Sequence, residues 1–232
     1  MLRRTTLLAL AALAACSREP SDPPALPGEA PDAEASDAPR AALEIPADAP
    51  VVLVLGDSIA AGLHLSLEQA FPAVLQRLLV ERGTPFRLVN AGVSGDTSAG
   101  GLARVDWVLR SHPDVVVVEL GANDGLRGQP PEAIEANLRG VVEACRKGGA
   151  EVLLLGLRMP PSLGPDYARA FDAVYARVAE ALDVAFVPYF MEGVGGVPEL
   201  NLDDGMHPTP EGHRRLAENV APALQRLLDD QR

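Results

Sequence analysis

Five short apolar runs punctuate the chain: Val51 to Leu55, Phe86 to Val89, Val115 to Leu120, Val152 to Leu157 and, more weakly, Val184 to Val187. Each is too short for a buried helix and reads as a strand enclosed on both faces. Between them the apolar positions change to a spacing of three and four, as expected of helices with one buried stripe. Phe71, Val74, Leu75, Leu78 and Leu79 follow a Ser66-to-Gln69 capping box. Leu102, Val105 and Leu109 form a second stripe, Ile134, Leu138, Val141, Val142 and Cys145 a third, and Tyr167 to Leu182 a fourth segment. A last helix opens on Thr209 as N-cap with Pro210 in its first turn and continues through Leu216, Val220, Leu224 and Leu228, with a kink expected at Pro222. Buried strands alternating with helices predict a parallel sheet joined by right-handed crossovers, hence a three-layer α/β/α sandwich on five strands. In such sheets ligands bind beyond the carboxyl ends of the strands, so chemistry belongs in the loops that follow them.

The N-terminal fifth of the chain breaks this pattern. Arg3 and Arg4 precede an apolar run from Leu7 to Ala15 that is too short to span a bilayer, the layout of a signal peptide. The run ends Leu13-Ala14-Ala15-Cys16, which resembles a bacterial lipobox and makes Cys16 a candidate lipidation site, with residues 1–16 the leader. From Ser17 to Ala49 the chain is rich in Pro, Ala and acids, with too little apolar surface to offset ordering. Eight acids against two arginines concentrate half of the chain's charge of −12 in this tether, which spans roughly 100 Å at about 3.1 Å per residue. Residues 50–232 are left as one catalytic domain. An exported lipoprotein facing the periplasm follows, and Ser17 in place of an Asp after the cysteine leans toward the outer membrane.

The acidic balance excludes nucleic acid as a partner, since phosphate binding needs clustered Lys and Arg. With Cys16 consumed by lipid, Cys145 is unpaired and falls on an apolar stripe, which suits an inert buried thiol. No grouping of Cys, His and carboxylates has metal-ligand spacing, so neither metal nor cofactor is expected.

Three loops after strands, together with a segment near the C-terminus, carry candidate chemistry. Gly56-Asp57-Ser58 follows the first strand and holds Ser58 at the sheet edge. A serine hydroxyl needs a base to take its proton, and that base needs an orienting acid. Asp204-Gly205-Met206-His207 supplies both within one turn, with Asp203 a rival orienter of poorer spacing. Asn90 to Asp96 follows the second strand, and its glycines let a backbone N–H, that of Gly95 above all, approach a ligand. Gly121-Ala122-Asn123-Asp124-Gly125 follows the third strand, where the Asn123 amide is a second candidate donor to an oxyanion.

Ser58, Gly95, Asn123 and His207 fall in the order that defines the SGNH hydrolases, also called the GDSL family, and the chain resembles that family from about Val51 onward. Ser94-Gly95-Asp96-Thr97, Gly121 to Gly128 and Asp203 to Pro208 are most similar to the group that combines acyl-thioesterase, arylesterase and lysophospholipase activities. The resemblance implies the flavodoxin-like SGNH fold and an acyl-enzyme mechanism on acyl esters or thioesters. It also implies Ser58 as nucleophile, His207 as base, Asp204 as orienter, and an oxyanion hole of the Ser58 N–H, Gly95 and Asn123. Ile59 stands where the family name has Leu, an apolar exchange.

Other assignments remain open at this level. Ser58 also reads as a simple helix cap, and Ser94 as a rival nucleophile. Asp57, Asp96 and Asp124 read as loop-shaping acids, His64, His112 and His213 as residues without a catalytic role, and Gly125 to Pro131 as a lid over the acyl chain. A carbohydrate or peptidoglycan O-acetylesterase would use the same residues, and a non-catalytic lipid-binding lipoprotein would keep only the scaffold.

Overall fold

In the computed structural model the described residues are 43–231. The leader, Cys16 and most of the tether lie outside them. Five parallel strands form one sheet in the order β2-β1-β3-β4-β5: β1 Val51–Gly56, β2 Arg87–Gly92, β3 Val115–Glu119, β4 Glu151–Leu155 and β5 Ala185–Val187. The central strand β1 is buried along its whole length and pairs with β2 through Val51↔Arg87 to Gly56↔Gly92, and with β3 through Val52↔Val115 to Gly56↔Glu119. This explains why its sequence is continuously apolar: a strand with helices above and below has no wet face.

Among the described residues seven α-helices complete the layers: α1 Ser58–Ala61, α2 Phe71–Glu81, α3 Ser98–Val108, α4 Ala122–Leu126, α5 Pro131–Lys147, α6 Pro165–Leu182 and α7 Pro210–Asp230. Helices α2 and α7 pack on each other, and α3, α5 and α6 form a second contiguous group. The predicted stripes are what they bury. Ile134, Leu138, Val141, Val142 and Cys145 of α5 are inaccessible, as are Leu216, Val220, Leu224 and Leu228 of α7. Burial pushes the Cys145 thiol up to about 12, consistent with an unreactive packing residue. Thr209 caps α7 by accepting from the Gly212 N–H at 3.2 Å, with Pro210 in the first turn.

Two local expectations change. The Ser66–Gln69 box closes a 3₁₀ turn at Leu67–Gln69, and α2 begins only at Phe71. A capping box satisfies whichever turn follows it, and here Ala70 returns to extended backbone before the helix starts. Strand β2 continues past Val89 through Asn90, Ala91 and Gly92, because ladder bonds are made by the backbone and an edge strand tolerates polar side chains. Helix α7 runs unbroken past Pro222, which lies on its exposed side.

His213 in α7 is buried, and its Nδ1 accepts from the Phe71 N–H at 3.0 Å, tying the start of α2 to α7. Burial, aided by the neighbouring His207, lowers its pKa from 6.5 to about 4. The unfolded chain therefore takes up the proton first: the contribution of His213 is whole above about 6.5 and is lost as pH falls toward about 4. Urea titrations of the parent and H213N should show the parent losing stability relative to the variant between about pH 7 and pH 4.5, and a constant difference would contradict this.

Candidate active site

The carboxyl ends of the strands bring the four sequence blocks together. Ser58 is the first residue of α1, directly after β1, and the turn is closed by Asp57, whose Oδ1 accepts from the Ile59 N–H at 3.0 Å. Asp57 therefore caps the helix, which leaves the Ser58 hydroxyl free for another partner. Gly56 permits the turn: a Cβ there would lie 2.5 Å from Ala60 Cβ and 2.6 Å from Glu119 Oε2.

That partner is His207. Its Nε2 lies 2.9 Å from Ser58 Oγ, and its Nδ1 lies 2.6 Å from Asp204 Oδ2. The second oxygen of Asp204 accepts from the backbone N–H groups of Met206 and His207 at 2.8 and 2.9 Å. The acid and the ring are thus fixed by one turn, with Gly205 at φ +69°. The His207 N–H, then the ring, then the Met206 N–H hold the Asp204 carboxyl well below the usual range. The turn is closed at its base by the Asn201↔Pro208 bridge and by the Leu202 N–H donating to His207 O at 2.7 Å. Asn201 anchors it through Nδ2 bonds to the carbonyls of Val194 and Val197. Asp203 is exposed and makes no hydrogen bond to the ring among the described residues. Ser94 is likewise exposed, with no base bonded to it among the described residues. His64 meets the His207 ring edge-on at 6.2 Å between centroids.

The other two blocks line up beside Ser58. Gly95 adopts φ +81°, and its carbonyl accepts from Arg127 Nη2 at 3.1 Å, while its N–H has no acceptor among the described residues. Asn123 sits in the first turn of α4, and its Nδ2 donates to Asp57 Oδ2 at 3.1 Å and to Asp96 O at 2.9 Å. Both amide hydrogens therefore have acceptors before any ligand arrives. The Ser58 N–H is a first-turn group with no intrahelical partner.

The flanking acids hold these loops in place. Asp96 pairs with Arg104 at 2.7 Å, and Arg104 also donates to Gly56 O at 3.1 Å. Asp124 accepts from both the N–H and the hydroxyl of Ser98, at 2.7 and 2.6 Å, joining the third block to the start of α3. Gln129, in the segment read as a lid, accepts from Tyr167 Oη at 2.7 Å through its carbonyl.

Beside the serine opens a cavity of about 490 Å³ whose walls include Leu126, Leu157, Met159, Tyr189, Met191 and Met206. Of Leu126, Met159 and Val194, the apolar loop residues that the sequence offers for contact with an acyl chain, the first two line the cavity, whereas Val194 is buried in the core. Tyr189 and Met191 follow the weakest strand signal, and nothing in the local sequence marks them as cavity residues. Glu119 was also missed, although a carboxylate inside the run Val115 to Leu120 is itself a signal, because a buried acid there demands partners. Among the described residues no group of His, Cys, Asp and Glu is arranged to hold a metal ion, and no helix is long and apolar enough to cross a membrane.

A five-stranded α/β sheet in the order 2-1-3-4-5 with a serine–imidazole–carboxylate chain at its carboxyl edge defines a serine ester hydrolase. The chain matches the GDSL-like lipase/acylhydrolase family over residues 54–215 and belongs to that family. It is 49% identical over 183 residues to Esterase TesA of Pseudomonas aeruginosa, covering 78% of this chain and 91% of that protein. It is 41% identical over 184 residues to Thioesterase 1/protease 1/lysophospholipase L1 of Escherichia coli K12, covering 79% and 87%. The crystal structure of TesA superposes with a TM-score of 0.74, covering 76% of this chain and 99% of that one.

Replacing Asp124 by Ala would strand the buried Ser98 N–H. D124A should cost about 1–3 kcal/mol in urea unfolding. A loss below about 0.5 kcal/mol would mean that this bond does not secure the loop.

Proposed function

We propose that this enzyme hydrolyses acyl esters or thioesters by two-step acyl transfer with Ser58 as nucleophile. The observation that carries the reading is the continuous chain Ser58 Oγ···Nε2 His207 Nδ1···Oδ2 Asp204, at 2.9 and 2.6 Å, beside an apolar cavity. His207 takes the hydroxyl proton as the oxygen attacks the carbonyl, and returns it to the departing alkoxide or thiolate. Asp204, held ionised, keeps Nδ1 protonated and balances the imidazolium that forms. Water activated by His207 then releases the acid. The backbone N–H groups of Ser58 and Gly95 and the Asn123 amide receive the oxyanion, the last by sharing or releasing its bond to Asp96 O. Apolar walls from Leu126, Leu157, Met159 and Met191 favour an acyl chain over a sugar. The named activities of the relatives, esterase and thioesterase with lysophospholipase, agree with this substrate class.

The lipid anchor at Cys16 and the outer-membrane, periplasm-facing placement are proposed on the sequence pattern alone. A tether between anchor and domain would let the cavity work away from the bilayer that holds it.

A series of p-nitrophenyl esters of increasing chain length tests the reaction. The parent should turn over chains longer than acetyl, S58A should lose at least about 10³-fold in kcat, and S94A should remain within about threefold of the parent. Loss at Ser94 with retention at Ser58 would overturn the mechanism, and acetyl-only turnover would favour an O-acetylesterase. For the anchor, C16S should move the protein from the membrane to the soluble fraction of the cell. Unchanged membrane association would refute lipidation there.

A further inference from the structure

Directly below the Ser58 turn lie two carboxyl groups that the acyl-transfer mechanism does not use. Glu119, the last residue of β3, stands opposite Gly56 in the parallel ladder and is wholly inaccessible. Its Oε2 accepts from the N–H groups of Asp57 and Ala60 at 3.2 and 3.3 Å. Its Oε1 is enclosed and meets no donor. Asp57, equally buried, accepts from Ile59 N–H through Oδ1 and from Asn123 Nδ2 through Oδ2, and its own backbone N–H is one of the two donors to Glu119.

The surroundings do not neutralise this pair. No Lys or Arg among the described residues donates to either acid, and Arg104, which reaches Gly56 O, is engaged with Asp96. His207 and Asp96 face Asp57, while Tyr175 of α6, with Asp124 beyond it, faces the pair and donates to Leu120 O. Two adjoining carboxylates in such a place cannot both stay ionised.

We propose that Glu119 is a positioning residue for ester hydrolysis: a neutral carboxylic acid that shares its proton with Asp57 and, through Asp57, aims the Asn123 amide at the oxyanion. This rests on the oxyanion reading of Asn123. An O–H on Glu119 supplies the donor that gives Oε1 a partner, leaving Asp57 ionised. An ionised Asp57 only accepts, so it fixes the Asn123 side chain with its NH₂ toward the site. A protonated Asp57 would instead be able to hold the amide carbonyl, turning an oxygen toward the developing oxyanion. Burial, followed by the Asp57 charge, holds Glu119 well above the usual carboxylate range. Asp57 is pushed up only to about 6, because the Ile59 N–H works against its burial. The donors decide where the proton sits: both Asp57 oxygens already accept from N–H groups, whereas Glu119 Oε1 has no donor, so the proton is on Glu119.

The experiment compares E119Q, E119L, N123A and the double variant E119L/N123A in the full chain. Gln reproduces the neutral acid, donating to Asp57 and accepting from the two N–H groups, whereas Leu fills the space without doing either. E119Q should stay within about fivefold of the parent kcat, and E119L should lose at least about 30-fold with KM changed less than about threefold. In the N123A background the E119L loss should shrink below about threefold, because the two residues act as one unit. E119Q falling as far as E119L would overturn the proposal, since a neutral group would then not suffice. An undiminished E119L loss beside N123A would overturn it too, by showing action through another route. N123A with parental kcat would remove the oxyanion reading itself, a failure separable from that of Glu119. Should E119L not fold, infrared difference spectra of E119Q against the parent decide. The parent at neutral pH should show the carbonyl stretch of a protonated carboxyl that E119Q lacks, and its absence from the parent would overturn the shared proton.

Discussion

The constraint on which the rest depends is the pairing of β1 with β2 on one side and β3 on the other. Backbone hydrogen bonds in a parallel ladder fix where each strand ends relative to its neighbours. Gly56, Gly92 and Glu119 therefore finish level, and the chain leaving each of them must turn away over the same patch of sheet edge. Ser58, Gly95 and Asn123 are neighbours for that reason, before any side-chain contact is considered. The order 2-1-3-4 also sends the connection after β1 to one side and the connection after β3 to the other, which opens the crevice where α/β sheets bind ligands.

Most of this architecture was legible because burial on both faces writes itself into a run such as Val115 to Val118, and one-sided burial into a stripe such as that of α5. What escaped had physical reasons. The continuation of β2 through Asn90 is carried by main-chain groups that side-chain polarity does not report. The capping box at Ser66 marked a helical start correctly but not which helix. At the site, the four blocks and the Asp204–His207 spacing named the residues that the structure brings together. The sequence offered no way to know that the Asn123 amide already has two acceptors, or that Tyr189 and Met191 wall the cavity, since both depend on how distant loops fold over one another. Glu119 was hidden by its context: one acid among valines reads as an interruption until its two backbone donors are seen.

Polar groups are concentrated under the site and are mostly paired there. Arg104, held by Asp96, donates to Gly56 O, Asp124 accepts from Ser98, and Asn90 donates to Ala60 O, so each of these bonds ties the chain around one strand end to that around another. Such bonds add modest net stability but are costly to leave half-made, so they specify one loop arrangement more than they strengthen the fold. That specificity is what a preorganised oxyanion site requires, because donors that must reorganise during the reaction lose most of their electrostatic advantage.

The turn that carries Asp204 and His207 gives the proposed triad an unusual mechanical simplicity. Its two members are locked together by three bonds within four residues and travel as one rigid body. Ser58, 149 residues away in sequence, is mounted separately at the start of α1. Assembly of the reactive chain therefore reduces to a single adjustable gap, and any strain that tilts the closing loop against the sheet acts as a throttle on the whole machine.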